Sequence, residues 1–357
     1  MLTENHQQAA RYLAAHQIEL AETMVQRQYT LCPQLVERYG EEGRVKCLRD
    51  ACHHLEYVSE SLAVGQPLLF VDYVAWARIM LAGRDIPVED LATNLECLCS
   101  AIEQILPQPL GEAAVQYVQA GLDKLQDMPA TLPSFLLAKQ PLAQLAQEYQ
   151  AALLAGDRHC ASRLVLDAVQ SGVAVQDIYL QVFQPCQHDI GRLWQMNEIS
   201  VAQEHYCTAA AQLIMSQLYP YLFGGERNGR TLVATCIAGD LHEIGIRMVS
   251  DLFELDGWDT FYLGANTPIP SILQEVRERN AGVLAISATI TPHLKSVEEL
   301  IRLVRSSADC SETKILVGGY PFNIAPELWQ QIGADGCAGD AAAVETANQL
   351  VKNGAAA

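Results

Sequence analysis

The sequence predicts a helical chain that ends in an open, parallel α/β sheet, and three observations point there. Beyond Asn228, short apolar runs at 231–237, 259–263, 283–287, 314–317 and 335–338 alternate with amphipathic stretches. That alternation is the pattern of strands fully buried in a five-stranded parallel sheet with crossover helices. Between 139 and 222, apolar residues recur at helical spacing, interrupted at Gly156-Asp157, Gly172-Val173-Ala174 and Met196-Asn197. Short breaks between such segments predict a four-helix antiparallel bundle. Residues 1–128 are helical by the same criterion, with Pro107 and Pro109 as breaks, and Met128-Pro-Ala-Thr-Leu-Pro-Ser134 is the expected linker. The expected domains are therefore 1–128, a linker at 129–138, a bundle at 139–225 and a sheet domain at 229–357.

Composition narrows the classes of function. A chain of 357 residues with half of them hydrophobic can bury two or three cores. A net charge of -19 offers no basic footprint for nucleic acid or for an anionic membrane surface. No apolar run reaches the length of a spanning helix, and Met1–Gln8 lacks the basic and apolar regions of a signal peptide. Eleven cysteines without CxxC pairs are expected to be reduced thiols in a cytoplasmic protein. An alanine tail at 355–357 is expected to fray.

The most informative stretch is Asp240-Leu241-His242-Glu243-Ile244-Gly245, placed between the first strand and an amphipathic helix. Ligands of open α/β sheets sit at such strand ends. Forty-one residues separate Gly245 from Ser287, and 28 separate Thr289 from Gly318-Gly319. These elements and spacings resemble the signature of cobalamin-binding domains, with Thr289 where the family has Leu. The resemblance implies a flavodoxin-like (Rossmann-type) sheet, with the His242 imidazole as lower axial ligand of cobalt. It also implies Asp240 as acceptor of the other ring N–H, a pairing that would fix the tautomer. Ser287 would hydrogen-bond the cofactor's displaced nucleotide tail, and Gly245, Gly318 and Gly319 would keep the tail's slot open. Gly264 and Gly339 lie in turns on the same side of the sheet.

The bundle segment carries Trp194, then nine residues, then Glu204-His205. This is similar to photoreceptor-type cobalamin proteins, whose upper ligand is a 5′-deoxyadenosyl group. The resemblance implies an indole over the purine, ribose hydroxyls on Glu204, and His205 close to cobalt. Some light-responsive members place a His directly after the Trp; here Gln195 stands there, a poor cobalt ligand.

In the N-terminal region, Cys47-Leu48-Arg49-Asp50 followed by Tyr57-Val58-Ser59 resembles the chromophore helix of phycobiliproteins, a globin-like all-α family. The resemblance implies Arg49 on a bilin propionate, Asp50 on the pyrrole N–H groups and Cys47 as a thioether site. His53, His54, Tyr57, Tyr73 and Trp76 would form the wall. A haem globin with His53 or His54 as ligand is the competing reading of that helix.

Together these three parts resemble the photocobilins, light sensors that hold biliverdin or a related bilin and adenosylcobalamin. The expectation is a non-enzymatic photoreceptor: a homo-oligomer whose state changes with light and which signals to an unidentified protein partner. The alternative is a corrinoid carrier of a methyltransferase system, which shares the bundle and the Asp-x-His-x-x-Gly loop.

Overall fold

A computed structural model describes residues 3–223 and 226–354. The alanine tail and residues 224–225 of the expected bundle lie outside them. The chain divides into two compact units. One runs to Thr131 and takes in Asn323–Gln331; the other comprises 132–322 and 332–357, so bundle and sheet form a single unit.

Among the described residues, the stretch of the first unit up to Thr131 is built from α1 (Glu4–Ala15), α2 (Gln17–Leu31), α3 (Gln34–Ala63), α4 (Pro67–Ala82), α5 (Val88–Ile105) and α6 (Leu110–Leu125). The expected prolines interrupt it between α5 and α6. Gly40, with φ +64°, breaks the helical path of α3, so the segment carrying Cys47 to Ser59 is the straight part beyond that bend. Leu20, Met24, Leu55, Leu62, Phe70, Leu95 and Leu98 are fully buried in one core.

The bundle consists of α7 (Ala143–Leu154), α8 (Arg158–Gln170), α9 (Val175–Ile178) running through a π turn (Tyr179–Phe183) into α10 (Gln184–Gln195), and α11 (Val201–Gln217) with a short α12 (Tyr219–Leu222). Its breaks fall where the sequence places them, each for a local reason. Asp157 Oδ1 accepts the Cys160 N–H at 2.8 Å and starts α8. Asn197, at φ +61°, turns the chain out of α10. The last long helix begins at Val201 because Ser200 and Gln203 form a capping box: Ser200 Oγ accepts the Gln203 N–H and Gln203 Oε1 accepts the Ser200 N–H.

The expected linker is not free. Buried Asp189 on α10 accepts the Phe135 N–H at 2.9 Å, the Gln150 amide at 2.8 Å and the Arg192 guanidinium at 2.8 Å. Burial would raise this carboxyl, but those donors outweigh it and hold it at about 2.

The sheet has strands β1 (Thr231–Cys236), β2 (Asp259–Gly264), β3 (Val283–Ser287), β4 (Lys314–Gly318) and β5 (Gly336–Cys337), all parallel in the order β2-β1-β3-β4-β5. These are the five runs read from the sequence. The helices that follow these strands are α13 (Ile244–Leu255), α14 (Ile269–Glu278), α15 (Leu294–Ser306), α16 (Tyr320–Ile324), α17 (Leu328–Gln331) and α18 (Ala342–Gly354), of which α17 and the end of α16 belong to the first unit. Leu232, Ala234, Cys236, Val283, Ala285 and Leu316 pack with Ile246 and Phe253 of α13 and Ala343 and Ala347 of α18. The alternate strand residues, Val233, Leu284, Ile286, Ile315 and Val317, are equally buried, as a sheet covered on both faces requires. Order 2-1-3-4-5 reverses direction between β1 and β3, and that switch point locates the ligand crevice at the carboxyl ends of those strands.

Met248 of α13 joins the bundle core, with Ile244 and Leu255 packed beside it. Next to this apolar contact the Tyr179 hydroxyl donates to Asp251 Oδ2 at 2.8 Å. Burial, aided by Glu254, raises the Asp251 carboxyl to about 6, while the Tyr179 hydroxyl and the Arg247 charge oppose the rise. A carboxyl raised above its unfolded value stabilises the fold fully below about pH 4 and loses that contribution as pH climbs through about 6. Asp251→Asn, uncharged throughout, is expected to remove this loss. In urea unfolding from pH 4 to 7 the wild type should fall by on the order of 3 kcal/mol relative to the variant, and parallel curves would exclude the effect.

Candidate functional site

The loop after β1 carries the site. Asp240 is fully buried, and each of its oxygens is occupied. Oδ1 accepts the His242 backbone N–H at 3.0 Å and its ring Nδ1–H at 2.9 Å. Oδ2 accepts the Thr289 backbone N–H at 2.5 Å and lies 3.6 Å from His293 Nδ1. Burial works to raise this carboxyl. The two histidine side chains and the two backbone donors overcome that and hold it far below the usual range. Asp240 is therefore an ionised acceptor at every ordinary pH.

A carboxylate can only accept, so the His242 proton sits on Nδ1 and the lone pair is left on Nε2. The ring is 62% exposed, on a strand end, with its donor nitrogen available to a ligand. The hydrogen bond to Asp240 is also the chief reason that its proton affinity is raised. Among the described residues, no group of three or more His, Cys, Asp or Glu could hold a metal ion by itself. A metal here would arrive with most of its ligands already in place.

Two braces hold the loop. The Gly239 N–H donates to Asn266 Oδ1 at 2.8 Å and the Asn266 N–H to the Asp240 carbonyl at 2.9 Å, with Asn266 itself at φ +51°. Glu243 accepts from Tyr262 on β2 at 2.8 Å and from Gln212 on α11 at 2.8 Å. Composition and spacing do not single out Asn266, Tyr262, Gln212 or His293. Asn266 lies two residues beyond Gly264 and His293 four beyond Thr289, whereas Tyr262 and Gln212 carried no such signal.

The glycines divide into two kinds. At Gly245 and Gly339 a Cβ would meet nothing within 4 Å, so both face open space. Gly318 and Gly319 are also demanded by the chain itself. A Cβ at Gly318 would lie 2.9 Å from the Ala338 carbonyl oxygen, and at Gly319, φ +112°, it would collide with that of Ala288. Gly264, φ +83°, lets β2 turn beside the Glu243 carboxylate, 3.3 Å from where a Cβ would be. Ser287 ends β3 between Cys236 and Gly318, largely buried. Thr289 contributes through its backbone N–H, so the Thr-for-Leu departure leaves that bond intact.

The roof residues are only partly gathered. Glu204, in the first turn of α11, accepts from Thr208 at 2.9 Å, and its charge is felt at His242. Trp194, in the last turn of α10, is half-buried, and Gln195 is buried beside it. The His205 side chain is 75% exposed and lies 3.5 Å from Glu204. Neighbouring helical residues diverge by about 100°, so when Glu204 faces the loop His205 turns to solvent.

In the N-terminal unit, His54, Tyr57, Tyr73 and Trp76 do meet. His54 Nδ1 lies 2.8 Å from the Tyr73 hydroxyl, Tyr57 stacks on Tyr73 at 3.8 Å between centroids, and Trp76 follows at 6.3 Å. Burial pushes His54 down to about 4. Asp50 is raised, chiefly by burial, and adds its charge to that of Tyr73's surroundings. Cys47 stands apart, donating to Gln28 Oε1 at 3.2 Å beside Asn94, and burial with the Asp50 charge pushes the thiol up to about 12. Such a thiol has little thiolate with which to form a thioether. Arg49 is exposed, and His53 is exposed and paired with Glu56 at 3.4 Å, outside the His54–Tyr57–Tyr73–Trp76 cluster. All eleven cysteines are unpaired, as expected.

Family models described as B12 binding domains match residues 145–219 and 230–347, which are the bundle and the sheet. The dimethylamine corrinoid protein of Methanosarcina barkeri is 30% identical over 170 residues, spanning 44% of this chain and 78% of that protein. The chain belongs to the corrinoid proteins. A second relative, dimethylamine corrinoid protein 2 of Methanosarcina mazei, is 34% identical over 122 residues, 34% of this chain and 56% of its own length. A corrinoid protein of Desulfitobacterium hafniense is 25% identical and is covered over 99% of its length by 59% of this chain. The chain spans 55–60% of the length of the first curated relatives it matches. The Methanosarcina barkeri monomethylamine corrinoid protein shares the fold of this corrinoid protein at a TM-score of 0.52, with 21% identity over 59% of this chain and 99% of that one.

His242, with its free Nε2, and the open space at Gly245 and Gly339 suit a cobalamin bound tail-in beside the sheet. Asp240→Asn is expected to weaken cobalamin retention roughly 10–100-fold, the usual cost of removing a partner behind a metal ligand, as read by equilibrium dialysis. Retention equal to wild type would exclude Asp240 from that role.

Proposed function

We propose that this corrinoid protein is a cobalamin carrier: it holds cobalt from below through His242 and presents a methyl group on the upper face to a partner methyltransferase. The observation that carries the reading is the His242–Asp240 pair at the β1 switch point, its imidazole exposed and its carboxylate buried, beside a bundle that packs on α13. The relatives support it, since the corrinoid proteins at 30–34% identity are named for dimethylamine. The cofactor would supply a cobalt–carbon bond. This chain's residues would do the rest: Asp240 keeps the His242 ring oriented with Nε2 outward, Ser287 and the space at Gly245 take the tail, and the bundle excludes water from above. Because a ligating ring must be neutral and Asp240 raises its proton affinity, acid would release His242 from cobalt.

A second reading is favoured by specific observations. The Desulfitobacterium relative, matched almost end to end, accounts for 59% of this chain, and neither family model reaches into the N-terminal unit. That unit holds the His54–Tyr57–Tyr73–Trp76 cluster beside Asp50, and the roof holds Glu204 and Trp194. In this reading the chain binds adenosylcobalamin and a bilin such as biliverdin, without covalent attachment at Cys47, and light changes its oligomeric state.

One experiment separates the two. Loaded in darkness with methylcobalamin or adenosylcobalamin, the carrier is expected to retain both and to keep its elution volume in size-exclusion chromatography after green light. A light-dependent shift confined to the adenosyl form would overturn the carrier reading in favour of the sensor. Failure of His242→Ala to alter the lower-ligand absorption of either form would remove both. For the bilin, Tyr73→Phe is expected to shift the red band of added biliverdin; a band identical to wild type would place the pigment elsewhere.

A further inference from the structure

The N-terminal unit buries a chain of polar side chains drawn from four of its helices. Gln28 of α2, His54 of α3, Tyr73 of α4 and Asn94 of α5 are each less than a tenth exposed. Gln28 Nε2 donates to the Asp90 carbonyl at 3.3 Å, and Asn94 Nδ2 donates to Gln28 Oε1 at 2.7 Å. His54 Nδ1 lies 2.8 Å from the Tyr73 hydroxyl. Asn94 Nδ2 also reaches Cys47 Sγ at 3.5 Å, and that thiol donates to the same Gln28 oxygen. Burial lowers the proton affinity of His54, and a hydrogen bond with Asn94 opposes the change.

The direction of every bond follows from one end of this chain. A backbone carbonyl can only accept, so Gln28 turns its NH2 group to Asp90 and its oxygen inward. That oxygen obliges Asn94 to present its own NH2 group to Gln28, which leaves Asn94 Oδ1 for His54. Oδ1 is buried and has no other partner among the described residues. An amide oxygen accepts, so the His54 proton sits on Nε2 and Nδ1 is bare. A bare Nδ1 takes the proton of the Tyr73 hydroxyl. Tyr73 has then used its one donor, and all that it can offer a ligand is the lone pairs of its oxygen.

We propose that Gln28, Asn94 and His54 are positioning residues that hold Tyr73 as a hydrogen-bond acceptor, so that the Tyr57–Tyr73–Trp76 cluster selects a planar, conjugated ligand bringing an N–H group to it. The inference rests on the bilin reading above and orients its ligand: a pyrrole or lactam N–H faces Tyr73, and the propionate carboxylates lie elsewhere. The surroundings fit such a ligand. Trp76 is 38% exposed and carries the aromatic stack to the surface. Asp50 and Glu56, whose charges are felt at Tyr73, likewise accept when ionised and repel a carboxylate. The chain also gives Cys47 a place other than attachment, since its S–H is used on Gln28.

The test uses the full chain with isotopically labelled histidine, without ligand and with biliverdin. In nitrogen NMR spectra of the unloaded protein at neutral pH, His54 is expected to show Nε2 protonated and Nδ1 bare, its signals assigned by their loss in His54→Gln. A proton on Nδ1 instead would overturn the proposal, because Tyr73 would then be free to donate. Biliverdin affinity is expected to fall about 3–10-fold in Tyr73→Phe and in Asn94→Leu, the worth of one hydrogen bond. The double variant should lose no more than Tyr73→Phe alone, since Asn94 acts through Tyr73. Losses that multiply would make Asn94 an ordinary packing residue and sink the relay. Should Asn94→Leu fail to fold, the tautomer in the wild type still decides. If the wild type does not take up biliverdin, the bilin reading falls, while the same tautomer still decides the direction of the chain.

Discussion

The buried carboxylate of Asp240 organises this structure. It ties together the ends of two strands and a ligand side chain, because it accepts from the His242 backbone, the His242 ring and the Thr289 backbone at once. A charge with no solvent contact is tolerable only when donors surround it, and these donors are supplied by the loops that define the site. The same bonds that satisfy Asp240 fix the tautomer of His242. Stability and ligand geometry thus come from one set of hydrogen bonds, and neither can be altered without the other.

That arrangement explains which parts of the sequence were readable. The five strands were legible because buried parallel strands are nearly continuous apolar runs, and the breaks of the bundle because Gly156, Asp157, Gly172 and Asn197 each have a turn or capping role. Asp240 and His242 were legible because their chemistry demands those residue types at that spacing. Thr289 shows the limit of reading by residue type: the position works through its main chain, so its side chain carries no signal. Gly318 and Gly319 carry a constraint that residue type alone does not locate, since a neighbouring carbonyl stands where each Cβ would be.

Residues whose meaning depends on which way a helix faces were read least well. Glu204 and His205 are adjacent in sequence, yet one turns toward the cofactor loop and the other to water. Cys47 and His54 share a helix and a plausible motif, but one faces Gln28 and Asn94 while the other is locked to Tyr73. The contacts joining bundle to sheet, Tyr179 with Asp251 and Gln212 with Glu243, were invisible because they link residues 72 and 31 positions apart. Nothing local in the sequence records such pairs.

The fastening of Phe135 to Asp189 bears on how this protein can be cut into working pieces. A fragment started at the first regular helix of the bundle would look complete by secondary structure, but it would strip a buried, ionised carboxyl of a main-chain donor and Arg192 of the Leu132 carbonyl. The true beginning of the cofactor-binding half is therefore the irregular stretch from Leu132, and dissection that respects hydrogen bonds in place of helix ends should keep it.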